Sequence, residues 1–273
     1  MNNRLLWFLR ILIVVQSLGY AAKLVAPSAL NSFLLDSMGD PFVTNLDRSV
    51  QVFLWIACGV LPVLGFLNPS TRSLARRLDF SILGLLAGWS FVLAIFSWLV
   101  NPGNPFHATD PAGHAVRFAA PLALILLAAF PGKGQESKIV WILRWGVAGT
   151  FVGHGLCALW LQPSFIDLII GSMDLFMGED FNAYASRQAF AEAALPIIAI
   201  QDFILVGLVL LPGKRMRKIA LWMAIWGLVT ALSRMTTYGW DYWPDLALRI
   251  CNGGIPLFLW LYWKSQDSTK TTA

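Results

Sequence analysis

The sequence predicts an all-α fold: a polytopic transmembrane helical bundle of about eight helices, in two tandem four-helix repeats, with interfacial helices in the external loops. Three observations predict it. Hydrophobic residues make up 57% of the 273-residue chain and charged residues only 13%, where soluble domains carry roughly a quarter charged residues. Apolar runs close to the ~20 residues needed to cross hydrocarbon recur from one end of the chain to the other. Short matches also recur in the same order in the two halves, as duplication would leave them.

The apolar runs are 5–25, 49–67, 78–100, 115–130, 139–161, 188–211, 219–238 and 246–263. The first has the look of a secretory leader, but Arg10 interrupts it and Lys23 follows it, so it reads as a retained span. The second carries Pro62 and the sixth Pro196, and the fourth and eighth are short. Breaker-rich links at 68–70, 131–134 and 212–214 read as tight cytoplasmic turns. The external segments 27–48 and 163–186 are longer. Both carry apolar residues at helical spacing, in the first Leu30, Phe33, Leu34 and Met38. This fits either a helix lying in the membrane interface or a re-entrant segment that caps a cavity.

Charge sets the expected orientation. Arg4, Arg72, Arg76, Arg77, Lys133, Lys138, Lys214, Arg215, Arg217, Lys218, Lys264 and Lys270 fall on one side; Lys23, Arg48, Arg117, Arg187 and Arg249 fall on the other. The positive-inside bias then puts both termini in the cytoplasm, with the chain in a bacterial plasma (inner) membrane. The net charge of +5 needs no nucleic acid, because no basic stripe with interleaved aromatics accompanies it. The 13 Trp and 18 Phe suit a chain with two lipid–water interfaces, and the lipid bilayer is its expected partner. Cys58, Cys157 and Cys251 stand singly in apolar runs, without the pairing of a zinc or dithiol motif.

The repeat begins with Trp7-Phe8-Leu9-Arg10 against Trp141-Ile142-Leu143-Arg144, and Gly19-Tyr20 against Gly153-His154. Pro27-Ser28 and Ser37-Met38 follow against Pro163-Ser164 and Ser172-Met173. Pro69 to Arg72 then stands against Pro212 to Arg215, and Ala115-Val116-Arg117 against Ala247-Leu248-Arg249. The expected units are 1–132 and 133–273. Four spans per unit would bring both halves in from the same face, as in parallel repeats.

The opening helices, Leu9-Arg10 with Gly19-Tyr20-Ala21-Ala22-Lys23 and Leu143-Arg144 with Gly153-His154-Gly155, resemble those of the DoxX-like family of small bacterial membrane proteins. The resemblance covers about twenty residues in each half. It implies four helices per unit and a redox setting, since that family includes a subunit of thiosulfate:quinone oxidoreductase and a protein needed for methylamine dehydrogenase maturation. It also implies a quinone as a cofactor and another membrane or redox subunit as a partner.

Ionisable groups inside spans are the candidate site residues, because each costs ~2.5–3.5 kcal/mol at a span centre. Arg144 and Asp202 have similar depth near the inner face, so an ion pair is expected; its role is either functional or the orienting of two helices. Arg10 has no equivalent acid, as Gly59 falls opposite Asp202. Toward the outer face His154, Glu192, Arg234 and Arg249 come from four successive spans. They form either a polar cavity open to the outside or a buried salt-bridge cluster. His107, Asp110 and His114 share one external loop, but Pro111 and Gly113 interrupt it and the set is incomplete for a metal. Two function classes remain: a membrane subunit holding a quinone or other small lipid-soluble molecule, and a non-enzymatic small-solute transporter or assembly partner.

Overall fold

A computed structural model describes residues 1, 3–23, 27–66, 74–130, 132–211 and 216–268; the turns at Pro69 to Arg72 and Pro212 to Arg215, together with Lys270, lie outside them. Most of the described residues are helical, and no strand occurs among them. In order the helices are α1 Asn3–Lys23, α2 Ala29–Met38, α3 Asp40–Phe66, α4 Leu74–Val100, the short α5 Pro105–Ala108 and α6 Asp110–Gly113, and α7 Ala115–Ala129. The second half runs α8 Lys133–Leu159, α9 Pro163–Met177, α10 Tyr184–Leu210, α11 Arg217–Tyr238, the short α12 Trp243–Leu248 and α13 Ile250–Ser268.

Six of these helices, α1, α3, α4, α8, α10 and α11, are long and apolar enough to cross a membrane; the α12–α13 pair, bent by 49°, makes up to seven. The faces they leave uncovered are apolar. On α10, Phe190, Ile197, Ile200 and Ile204 are exposed at helical spacing, and on α3 Val52, Ile56 and Val63 are. A stripe of this kind is a liability in water and the natural outer surface in lipid.

The fourth expected span is shorter than a span requires. α7 covers 15 residues, about 22 Å of helix against ~30 Å of hydrocarbon. It starts at Ala115, as expected, because the chain breaks at His114, between α6 and α7. The eighth expected span breaks in the same way at Arg249, between α12 and α13. The two break residues share one backbone geometry, φ −99° and ψ 3° at His114, φ −98° and ψ 6° at Arg249. The expected match of Arg117 with Arg249 does not bring these breaks into register: the break residue His114 lies three positions before Arg117. The second expected span starts early. α3 begins at Asp40, its polar first turns held by Asp47, which accepts from Ser28 N (2.9 Å) and Ser28 Oγ (2.6 Å). Pro62 and Pro196 lie inside α3 and α10 without ending either helix.

Packing follows the element order. α1 lies on α3 and α8 on α10; α2 rests on α3 and α4, and α9 on α10 and α11; α4 packs on α7, and α11 on α13. Contacts between the halves are reciprocal: α1 lies against α12 and α13, and α8 against α6 and α7. Glycine makes these approaches feasible. A Cβ on Gly19 would lie 2.3 Å from Leu248 N, and one on Gly153 would lie 2.4 Å from Gly113 N. Only a residue without a side chain lets the backbones come this close. Between the halves sits a core that includes Leu9, Ile13, Leu143, Ile255, Phe258 and Leu259, all fully buried. The Met1 amine pairs with Glu136, so the starts of α1 and α8 lie at one end of the bundle.

Candidate functional site

A cavity of about 470 Å³ opens between α8, α9, α10 and α11, with Asn252 of α13 in its wall. α9 forms its lid. Pro163 starts this helix, and its apolar residues, Phe165, Leu168, Ile169, Met173 and Phe176, face the space. Segment 163–186, expected as an interfacial helix or a re-entrant segment, thus covers a cavity through α9. α9 is tied down from both sides: Ser172 and Thr236 share a hydrogen bond of 2.8 Å, Thr237 Oγ1 donates to Leu168 O at 3.0 Å, and Arg187 pairs with Asp174. Phe176 and Met177 end the lid at its mouth, 81% and 68% exposed.

Three of the sequence-identified residues line this cavity: His154, Arg234 and Asp202. His154 comes from α8 and makes no hydrogen bond among the described residues; its ring meets Phe165 edge-on, with centroids 6.1 Å apart. Arg234 comes from α11 and donates to Thr230 O and to Ser233 Oγ (3.3 Å), with its guanidinium 5.8 Å from the Phe165 ring centre. These two residues thus flank the first turns of the lid. Asp202 comes from α10, is 4% exposed, and accepts from Trp226 Nε1 at 3.1 Å. Trp226 and Arg234 are eight residues apart on α11, about 12 Å. The cavity therefore has a basic end at His154 and Arg234, an acidic end at Asp202, and apolar walls between.

The other three residues lie elsewhere. Arg144 does not pair with Asp202. Its Nε and Nη2 donate to Val209 O (2.8 and 2.5 Å), and Nη2 also donates to Leu211 O (2.5 Å), while the guanidinium lies 3.6 Å from the Trp141 ring centre. Those carbonyls end α10, where the last turn has no intrahelical donors and carries the negative end of the helix dipole. Glu192 turns along its own helix and accepts from Gln188 Nε2 at 2.8 Å, so it does not flank His154. Arg249 pairs with Asp245 at the α12–α13 break, outside the cavity wall.

Arg10, expected to be unpaired, has a partner. It makes a bidentate pair with Asp79 of α4 (2.5 and 2.8 Å) and also donates to Leu61 O (3.0 Å). The signal was present as a lone acid in the first turns of an apolar run, but Asp79 comes from a different span from the one the repeat pointed to. The loop trio divides: His107 Nδ1 faces Asp110 at 3.4 Å without hydrogen-bond geometry, and His114 turns inward toward Arg117 and Arg249. Comparison with known proteins finds nothing similar: no family model matches the chain, and neither does any curated protein or solved structure.

Proposed function

We propose that this chain is a multi-pass membrane subunit that binds a quinone or another small lipid-soluble molecule in the cavity under α9. One observation carries the reading: a mostly apolar cavity inside a bundle of apolar helices, with its ionisable groups, His154, Arg234 and Asp202, at its ends. Ligand cavities have this character, apolar walls with a few placed polar groups. A carbonyl oxygen of the ligand would accept from Arg234 or His154. An apolar tail would run along Leu168, Ile169 and Met173 and leave past Phe176 and Met177. Asp202 is placed to hold or pass a proton at the other end. The DoxX-like resemblance of the opening helices supports a redox setting and a second membrane subunit as partner. The bacterial inner membrane, with both termini cytoplasmic, is part of the same reading; the charge distribution supports it, as does the Met1–Glu136 pair that joins the starts of the two halves. Duplication of one four-helix unit, 1–132 and 133–273, is supported by the reciprocal packing and the matched breaks.

The test is direct. The protein, purified in mild detergent and extracted into organic solvent, should release a lipid-soluble molecule that mass spectrometry detects. Thr230→Phe, which fills the cavity from α11, should accumulate normally and release none. Equal release from both proteins, or none from the wild type, would overturn the reading.

A second reading, small-solute transport, has one observation in its favour. Discontinuous helices at matching places in two repeats mark transporter binding sites, and the breaks at His114 and Arg249 match in geometry. Solute-dependent uptake by proteoliposomes, with no extractable lipid-soluble molecule, would favour it over the first.

A further inference from the structure

The two helix breaks meet at a buried polar cluster that adjoins the cavity at Asn252, with its cations outside the cavity wall. Arg117 is the third residue of α7 and only 3% exposed. Its Nε is buried without a hydrogen-bond partner, and among the described residues its guanidinium has no ion pair at all. Arg249 and Lys23 carry the neighbouring charges, close enough to Arg117 for mutual repulsion, and His114 lies within the same field. Arg234 and His154 approach it from the cavity side. Among the described residues the one carboxylate facing the group is Asp245, which holds Lys23 at 2.6 Å and also pairs with Arg249. Three cations against one acid leave a formal excess of about two positive charges; Lys23 is half exposed and partly solvated, whereas Arg117 is buried, where an uncompensated charge is strongly unfavourable.

Hydrogen bonding is incomplete in the same place. Tyr20 OH, His114 Nδ1 and Asn252 Oδ1 are buried without partners. Gln16 uses its Nε2 on Arg117 O (2.9 Å) and leaves Oε1 unpartnered. Buried polar groups almost always find partners, so the orphaned donors, Tyr20 O–H and His114 Nδ1, beside one unpaired guanidinium point to an acceptor ligand; the two amide oxygens can only accept and are not satisfied by it. α7 and α13 also begin here, each bringing the positive end of its dipole.

We propose that this cluster is a binding site for a phosphate group, held by Arg117, Arg249 and Lys23, with Tyr20 and His114 as further donors. Phosphate matches the cluster in two ways. A phosphate monoester carries about −1.5 to −2 charges, close to the local excess, and offers several acceptor oxygens in a compact group. Arg presents a planar fork that suits it. The phosphate is either free or the head group of a membrane lipid. The site does not depend on the cavity reading, since the cavity wall takes none of the three cations.

The experiment uses the whole protein in maltoside detergent and phosphate-free buffer, and follows thermal unfolding and binding with two probes. Inorganic phosphate tests the free form, and phosphatidic acid in mixed micelles tests the lipid form; chloride at matched ionic strength is the control. At least one probe should raise the melting temperature in a saturable way that chloride does not reproduce. Which one does so names the source. Arg117→Gln should weaken binding by about ten- to a hundredfold, the effect of losing a charged hydrogen-bonding group. Tyr20→Phe keeps the ring packing and removes only the O–H, so it should weaken binding by about two- to tenfold, and it decides the matter if the arginine variant fails to accumulate. Overturning results are no saturable shift with either probe, or unchanged affinity in the variants.

Discussion

Replacing Asp79 by Ala tests whether the ion pairs hold this bundle together. Arg10 is 9% exposed and Asp79 4%, and they meet through two bonds of 2.5 and 2.8 Å. The substitution leaves the guanidinium with Leu61 O as its hydrogen-bond acceptor. Gly65 allows no retreat, since a Cβ there would already be 2.8 Å from Arg10 Cδ. Stranding one member of a buried pair costs about 3–5 kcal/mol. At roughly 2–4 °C per kcal/mol for a chain of this size, the melting temperature should fall by about 6–20 °C. Exchanging the pair for apolar residues, Arg10→Met with Asp79→Leu, should cost about 1 kcal/mol or less, because both desolvation penalties disappear together. Thermal unfolding of the purified single and double variants in detergent closes the cycle. The reasoning fails if Asp79→Ala melts within about 2 °C of wild type, or if the double variant loses as much as the singles combined.

Three further outcomes are expected. Gly153→Val should destabilise by about 1–3 kcal/mol through overpacking against Gly113, while Gly88→Val, at a position open beyond 4 Å, should stay within about 1 kcal/mol of wild type; thermal melts of the two compare them. Asp174→Ala should release the lid from Arg187, seen as faster hydrogen exchange in α9 with little change in α1 or α13; equal exchange across all three would contradict it. With native cysteines replaced, a cysteine at Asp180 should react with an impermeant thiol reagent in intact cells and one at Thr271 should not, and the reverse pattern would invert the topology.

The long spans were legible because lipid imposes one rule on every residue that faces it. Ile197, Ile200 and Ile204 are exposed and apolar, and hydropathy reads them directly. The breaks at His114 and Arg249 were not legible, since each falls within or beside an apolar run that composition treats as continuous. Partner choice was legible only in part. His154 and Arg234, expected together toward one face, do line one cavity; Asp202, expected near the other face with Arg144, lines its opposite end. Arg144 went instead to the carbonyls of Val209 and Leu211. A search for opposite charges among side chains cannot see that acceptor, because the negative end of a helix belongs to its backbone. Glu192 illustrates the complementary limit. Gln188, one turn away, satisfies it locally, and a local partner at i−4 competes well with any distant one.

The account rests most heavily on the cavity under α9, and Trp226 reports on it from inside, beside Asp202. Titrating the purified protein with a short-chain quinone and following tryptophan fluorescence, wild type against Trp226→Phe, tests it most directly. The account predicts saturable quenching in wild type and loss of most of the saturable component in Trp226→Phe. Linear, non-saturating quenching in wild type, or the same saturable quenching in both proteins, would contradict it.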